Sequence, residues 1–170
     1  HISDAPDSLD VISMMYPAEL AAFELVDMQT VHAKGTKVVY TISFDKIQKE
    51  YTEKVKEGTE TGSFDTYLKS EMDKQIGYAG SFDGMITEYK GNNPIYMSAE
   101  QKAEAKKYQD IFFSAVSTWK TANADKLLTF QGYPENLIEQ TILTNCKHII
   151  LATDNVTDDA QLSVFARLAM

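Results

Sequence analysis

The chain has 170 residues, 44% of them hydrophobic and 11% aromatic, which is enough for one domain with its own core and too apolar for a disordered segment. A net charge of -9, from 16 Lys and Arg against 25 Asp and Glu, excludes a nucleic-acid partner, which needs a dense basic face, but leaves neutral sugars open. The single cysteine, Cys146, excludes an internal disulfide and reads as a small buried or half-buried residue.

In chain order, residues 10–15 (DVISMM) form a short apolar run. Residues 18–33 follow with Leu20, Phe23, Val26 and Val31 at roughly helical spacing, and Gly35 sits where a glycine ends a helix. Residues 37–43 (KVVYTIS) are β-branched and aromatic, completing a strand–helix–strand unit. The stretch 44–62 is charged and less regular, and is expected to be a loop or an exposed helix. A helix at 64–76 carries Leu68, Met72 and Ile76 four apart and leads into a strand at 82–89, which Gly91-Asn92-Asn93-Pro94 breaks.

Ser98 and Gln101 make a capping box for a helix to about Thr121, whose expected apolar face is Tyr108, Ile111, Phe112, Ala115 and Trp119. That spacing makes Trp119 a core residue rather than a sugar platform. Strands are expected at 126–130 (KLLTF), 137–143 and 148–153 (HIILAT), and Thr157 caps a closing helix with Leu162, Phe165, Ala166 and Ala169 on one face. Six strand-like runs interleaved with helices indicate an α/β fold with a parallel sheet, either a doubly wound open sheet or a barrel. No linker divides residues 1–170, which read as a single domain. No glycine-rich phosphate loop follows any strand, which weakens a nucleotide-binding role.

No run of eighteen apolar residues occurs, and HISDAPDSLD has neither the charged nor the apolar region of a secretion signal. The chain begins just before a strand and stops inside an amphipathic helix, so it is expected to be a segment of a longer polypeptide. His32 and His148 lack metal-ligand spacing, Ser13 and Ser43 have no recognisable His-Asp partners, and no motif anchors a cofactor. No metal and no cofactor are expected.

The most informative stretch is residues 81–91, SFDGMITEYKG. On a strand, positions 86, 88 and 90 share one side while 85, 87 and 89 share the other. Phe-Asp-Gly followed by this alternation resembles the signature strand of glycoside hydrolase family 18, the chitinases and endo-N-acetylglucosaminidases, whose motif runs Asp-x-x-Asp-x-Asp-x-Glu. The four motif positions read Asp83, Ile86, Glu88 and Lys90. The resemblance implies a (β/α)8 barrel of the TIM type, only partly covered by these residues, in which the last Glu protonates the glycosidic oxygen and the preceding Asp orients the substrate's acetamido group as nucleophile. A lysine ammonium is a poor general acid at neutral pH, and Glu88 lies two residues earlier, about 6.5 Å back along the strand.

The likeness extends along the chain, especially to a branch found as surface lipoproteins of glycan-foraging gut bacteria. It runs through Pro6-Asp7-Ser8-Leu9-Asp10-Val11-Ile12-Ser13 at the second strand, Lys34-Gly35-Thr36-Lys37 before the third, Leu127 to Pro134 at the fifth, and Gln140-Thr141-Ile142 at the end of the sixth. On this alignment Lys90 replaces the acid, Glu88 the orienting Asp, Ile86 an earlier Asp, Gln131 a fifth-strand Asp, and Ile142 the Tyr that steadies the intermediate. Asp83, Gly84, Gly35 and Gly132 keep the framework.

The leading expectation is a catalytically inactive, glycan-binding family 18-like protein that captures N-acetylglucosamine-containing glycans. The resemblance further implies a lipoprotein at the cell surface or in the periplasm, with a flanking carbohydrate-binding domain or outer-membrane uptake proteins as partners. Tyr16, Glu88, Lys90, Gln131, Tyr133, Gln140, Asp154 and Asn155, at or just past strand C-termini, are the candidate ligand-binding residues. One alternative is an active endo-N-acetylglucosaminidase or chitinase that uses Glu88. The other is a purely structural barrel with a sealed site, in which Glu88 and Lys90 pair as an internal ion bridge.

Overall fold

The computed structural model describes residues 11–14, 35–139, 143 and 148–151. The helices expected at 18–33 and after Thr157 lie outside them. The described residues form five strands: β1 (Val11–Met14), β2 (Lys37–Ser43), β3 (Gly84–Tyr89), β4 (Leu127–Gly132) and β5 (His148–Leu151). Three helices, α1 (Phe44–Glu57), α2 (Phe64–Ile76) and α3 (Ala99–Ala122), lie between them. All pairings are parallel, and the strands stand side by side in chain order.

Side chains at Val38, Tyr40, Ile42, Met85, Tyr89, Leu128 and Phe130 alternate onto one face and enter a core with Phe44, Leu68, Met72, Phe112, Phe113 and Val116 from the three helices. The opposite face carries Val39, Ile86 and Thr129, buried outside that cluster. A doubly wound sheet reverses its strand order at a switch point and carries helices on both faces. Among the described residues this sheet does neither, so of the two expected architectures it follows the barrel type, with one face inside and the helices outside.

Of the two forms expected for 44–62, loop or exposed helix, the helix forms over Phe44–Glu57 and a turn follows it. Ser43 caps α1 by accepting the Lys46 N–H (3.2 Å), Phe44 and Ile47 are buried, and the helix ends at Gly58 in a left-handed turn (φ 73°). Its charge-rich composition records the solvent side of an amphipathic helix. Aromatic rings join α1 to α2 and α3: Phe44 meets Phe64 at 5.9 Å and Phe112 at 5.7 Å, and Tyr51 meets Phe64 at 5.1 Å.

Of the strand expected at 137–143, the described residues 137–139 and 143 form no strand, and 140–142 lie outside the described residues. Pro134–Asn136 makes a short helical turn, the Leu137 N–H closes onto the Pro134 carbonyl, and the Ile138 N–H goes to the Gln109 side chain (2.9 Å) rather than to a strand. The place beside β4 belongs to β5, with Thr129 opposite His148 and Gln131 opposite Ile150. β4 also runs two residues further than expected, to Gly132, and β3 begins at Gly84 rather than at Phe82.

The capping box of α3 forms in both directions, with Gln101 N–H to Ser98 Oγ (3.2 Å) and Ser98 N–H to Gln101 Oε1 (2.9 Å). Its buried face is Gln109, Phe112, Phe113, Val116 and Trp119. Trp119 is thus a core residue, while Tyr108, Ile111 and Ala115 are only partly buried at the edge of the core. Tyr40 packs on Phe82 (4.6 Å) and donates its hydroxyl to the Gln75 carbonyl (2.8 Å), and burial pushes its phenol pKa well above the ordinary value.

Asp83 fastens the lower end of the sheet. Its carboxylate accepts the Val38 N–H (2.8 Å), its own N–H goes to the Val38 carbonyl (2.8 Å), and its carbonyl accepts the Leu127 N–H (2.9 Å). It is a clip for β2, β3 and β4, remote from their C-terminal ends. Asp83→Ala leaves the Val38 N–H without its carboxylate partner and is expected to destabilise the fold by about 1–3 kcal/mol. Urea unfolding checks this, with exposed Asp125→Ala staying within about 0.5 kcal/mol of the parent.

Candidate functional site

Parallel register sets Ser43, Glu88 and Gln131 side by side near the C-terminal ends of β2, β3 and β4. Thr41, Ile86 and Thr129 form the row beneath them. Ser43, Glu88 and Gln131 are half-buried, whereas Ile86 is only 3% exposed. The upper row is therefore a polar rim, and the row beneath it sets buried Ile86 between two threonines.

The Ser43 hydroxyl has two jobs. It accepts the Lys46 N–H that caps α1 and donates to Glu88 Oε1 at 2.9 Å. One carboxylate oxygen of Glu88 is thereby held beside the first turn of α1, where the helix dipole favours negative charge. Its other oxygen and the Gln131 amide supply acceptors and a donor suited to hydroxyl groups.

Just above, the end of β3 is clamped from both flanks. Asp45, in the first turn of α1, accepts the Lys90 N–H at 2.9 Å and, at the long distance of 3.5 Å, the Gly91 N–H. Asn136 Nδ2 donates to the Lys90 carbonyl (2.7 Å) and the Gly91 carbonyl (3.3 Å). Gln109, 2% exposed, braces this arrangement by donating to Tyr89 Oη (2.9 Å) and the Asn136 carbonyl (3.2 Å) while accepting the Ile138 N–H (2.9 Å). Burial raises the Tyr89 phenol pKa, partly opposed by the Gln109 hydrogen bond, so the phenol stays protonated at neutral pH.

Two glycines permit the close packing. Gly91 has φ 55°, and a Cβ there would lie 2.6 Å from the Tyr89 ring. Gly132 has φ 147°, and a Cβ there would overlap the Tyr89 carbonyl.

Of the residues expected at the site, Glu88 and Gln131 come together. Lys90 lies one position past β3 and is exposed, and Tyr133 lies one position past β4, half-buried. The ion bridge expected between Glu88 and Lys90 in the sealed reading is not formed among the described residues: Glu88 is bonded to Ser43, and the Lys90 backbone is held by Asp45 and Asn136. Tyr16, Gln140, Ile142, Asp154 and Asn155 lie outside the described residues.

Sequence reasoning missed Ser43, Asp45, Gln109 and Asn136. Ser-Phe-Asp-Lys at residues 43–46 did carry a signal, a capping serine followed by a first-turn acid at a strand–helix junction. Gln109 and Asn136 carried none, since their partners are 20 to 46 residues away.

The family model described as glycoside hydrolase family 18, BT1044-like, matches residues 1–169. Among solved structures the chain is similar to PbGH5A, a glycoside hydrolase family 5 enzyme from Prevotella bryantii B14, at 12% identity and a TM-score of 0.39, over 88% of this chain and 48% of that one. The chain spans about half the length of that enzyme. No curated protein matches it.

Asp45→Ala removes the acceptor for Lys90 and Gly91 and is expected to raise amide exchange at those two positions at least tenfold, with a loss of about 1–2 kcal/mol in stability. Hydrogen exchange read by NMR tests this, and unchanged protection at both amides would show that the clamp is held without Asp45.

Proposed function

The chain belongs to glycoside hydrolase family 18, BT1044-like, and on that premise we propose that it binds glycan at the C-terminal end of its sheet without hydrolysing it. The observation that carries this reading is the end of β3. Where the family resemblance calls for a carboxylic acid, the chain has Lys90, exposed and past the strand. The nearest carboxylate on that strand, Glu88, sits about 6.5 Å further back and is committed through one oxygen to Ser43. A general acid must reach the leaving oxygen, and a displacement of that size removes it from the reacting atoms.

Binding needs less. Glu88 and Gln131, in register and half-buried, offer a carboxylate oxygen and an amide to vicinal hydroxyls. Their partial exposure supports an open mouth over a sealed one. N-acetylglucosamine-containing glycans are the proposed ligands, by extension from the family. The chain's segments at 6–13 and 34–37 further support a role at the bacterial surface, alongside glycan-binding or uptake partners.

The protein is expected to release no sugar from chitooligosaccharides or N-glycans, while calorimetry with chitotetraose records binding. Glu88→Gln, which removes the charge but keeps the shape, is expected to weaken that binding roughly tenfold, the effect of losing one charge-assisted hydrogen bond. Measurable turnover that Glu88→Gln abolishes would overturn the proposal in favour of an active hydrolase.

A further inference from the structure

On the other side of the β3 end lies a cleft of about 500 Å3, within the range of small-ligand sites. Strand alternation sends Glu88 toward the mouth and Tyr89 away from it, and Tyr89, Phe44 and Tyr108 form the aromatic part of the cleft. Gln48, Asn92, Asn93, Gln101 and Glu104 supply its polar groups. Among the described residues, no Lys, Arg or His lines it. A phosphorylated or carboxylate ligand would meet no cation there, and a neutral one would meet amides, one carboxylate and ring faces.

The turn that closes the cleft presents apolar surface on a fixed frame. Of three large hydrophobic residues exposed among the described ones, two are adjacent here, Ile95 at 80% and Tyr96 at 87%. Tyr96 lines the cleft. Loose loops commonly expose such residues, but this turn is braced along its length. Asp45 and Asn136 hold Lys90 and Gly91, Asn93 Oδ1 accepts the Ile95 N–H (3.0 Å), the Asn93 carbonyl accepts the Tyr96 N–H (3.1 Å), and the capping box of α3 follows at Ser98.

Two amides are half-used. Asn93 and Gln101 each commit the oxygen to a backbone N–H, while among the described residues the nitrogens have no partner. Glu104 accepts the Tyr108 hydroxyl through one oxygen and has a second to offer.

We propose that this cleft is a second saccharide-binding site, in which the ring of Tyr96 carries the apolar face of a neutral sugar and Asn93, Gln101 and Glu104 bond its hydroxyls. An aromatic platform beside convergent amides and a carboxylate, without cationic groups, is the chemistry of an uncharged polyhydroxylated ring with one C–H face. The inference rests on the proposed glycan-binding role for the class of ligand and adds a contact outside the mouth. Because Glu88 and Tyr89 are consecutive, one strand end serves both sites, and a branched or folded glycan engaging both would gain from effective concentration.

The test is an NMR titration of the intact protein with chitotetraose and, separately, with a high-mannose N-glycan. Shifts at Gly91, Asn92, Asn93 and Tyr96 are expected, and Tyr96→Ala should weaken them at least tenfold while Val55→Ser, at the remaining exposed apolar residue, leaves them unchanged. Shifts confined to the surroundings of Glu88 and Gln131, with Tyr96→Ala silent, would overturn this second site and leave the mouth standing. Shifts at the cleft alone would overturn the mouth instead. A change in sedimentation on Tyr96→Ala without any sugar-dependent shift would show a protein contact surface and sink the saccharide reading, as would the absence of shifts with both sugars.

Discussion

Everything at the rim depends on the register of β2, β3 and β4, and that register is fixed at both ends. Below, Asp83 gives its carboxylate and N–H to Val38 and its carbonyl to Leu127. Above, Ser43 bonds Glu88 across the same strand pair. A one-residue slip in a parallel sheet exchanges its two faces, which would turn Glu88 into the helix-packed core and Tyr89 into the mouth. Neither substitution is tolerable: a carboxylate would be buried among Phe44, Phe112 and Phe113, and the core would lose an aromatic ring. The position of the polar rim follows from the pattern of the hydrophobic core.

The helix α1 links core to rim. Its buried side joins an aromatic ladder with α2 and α3, and its cap residue Ser43 and first-turn Asp45 bond the end of β3. A conventional barrel connection needs one helix between strands, whereas the segment between β2 and β3 has two. Because α1 follows β2 without a gap, its N-terminus lies at the strand's C-terminal end, where the cap residue Ser43 bonds Glu88 and first-turn Asp45 holds the turn at 90–97. The strand end is thus braced on both of its sides by one helix start.

Strand periodicity was legible at β2, β3 and β4 because each combines a buried helix-facing set with a second face of its own, leaving alternation or β-branched runs. The capping box of α3 was legible for a similar reason, since both partners lie within three residues. The stretch at 137–139 was not. Leu137 and Ile138 look like a strand, but Pro134 sets a turn before them and a buried Gln109, 29 residues upstream, takes the Ile138 N–H. Local apolarity records burial there, not pairing. The clamp at Lys90 and Gly91 was hidden likewise, because Asp45 and Asn136 approach it from elements some 45 residues away on either side. At the site, the strand carrying Glu88 and Lys90 could be read from its period, whereas the carboxylate's orientation depends on Ser43, which reads in the sequence only as a helix cap.

The residues at the motif positions suit the places they occupy. Ile86, in the place where the resemblance calls for an aspartate, sits 3% exposed between Thr41 and Thr129. A carboxylate in that row would require partners for its buried charge, and an isoleucine requires only space. Lys90 keeps its ammonium at an exposed position, where its charge stays solvated and its backbone still takes both clamps. Glu88 retains a hydrogen bond that also completes the α1 cap. Among the described residues, Ile86, Glu88 and Lys90 thus each sit where the residue present meets the demands of packing or solvation, and the framework at Asp83, Gly84 and Gly132 is untouched. The register that sets Glu88 beside Gln131 is held apart from Ile86 and Lys90, at Asp83 below and at Ser43 above.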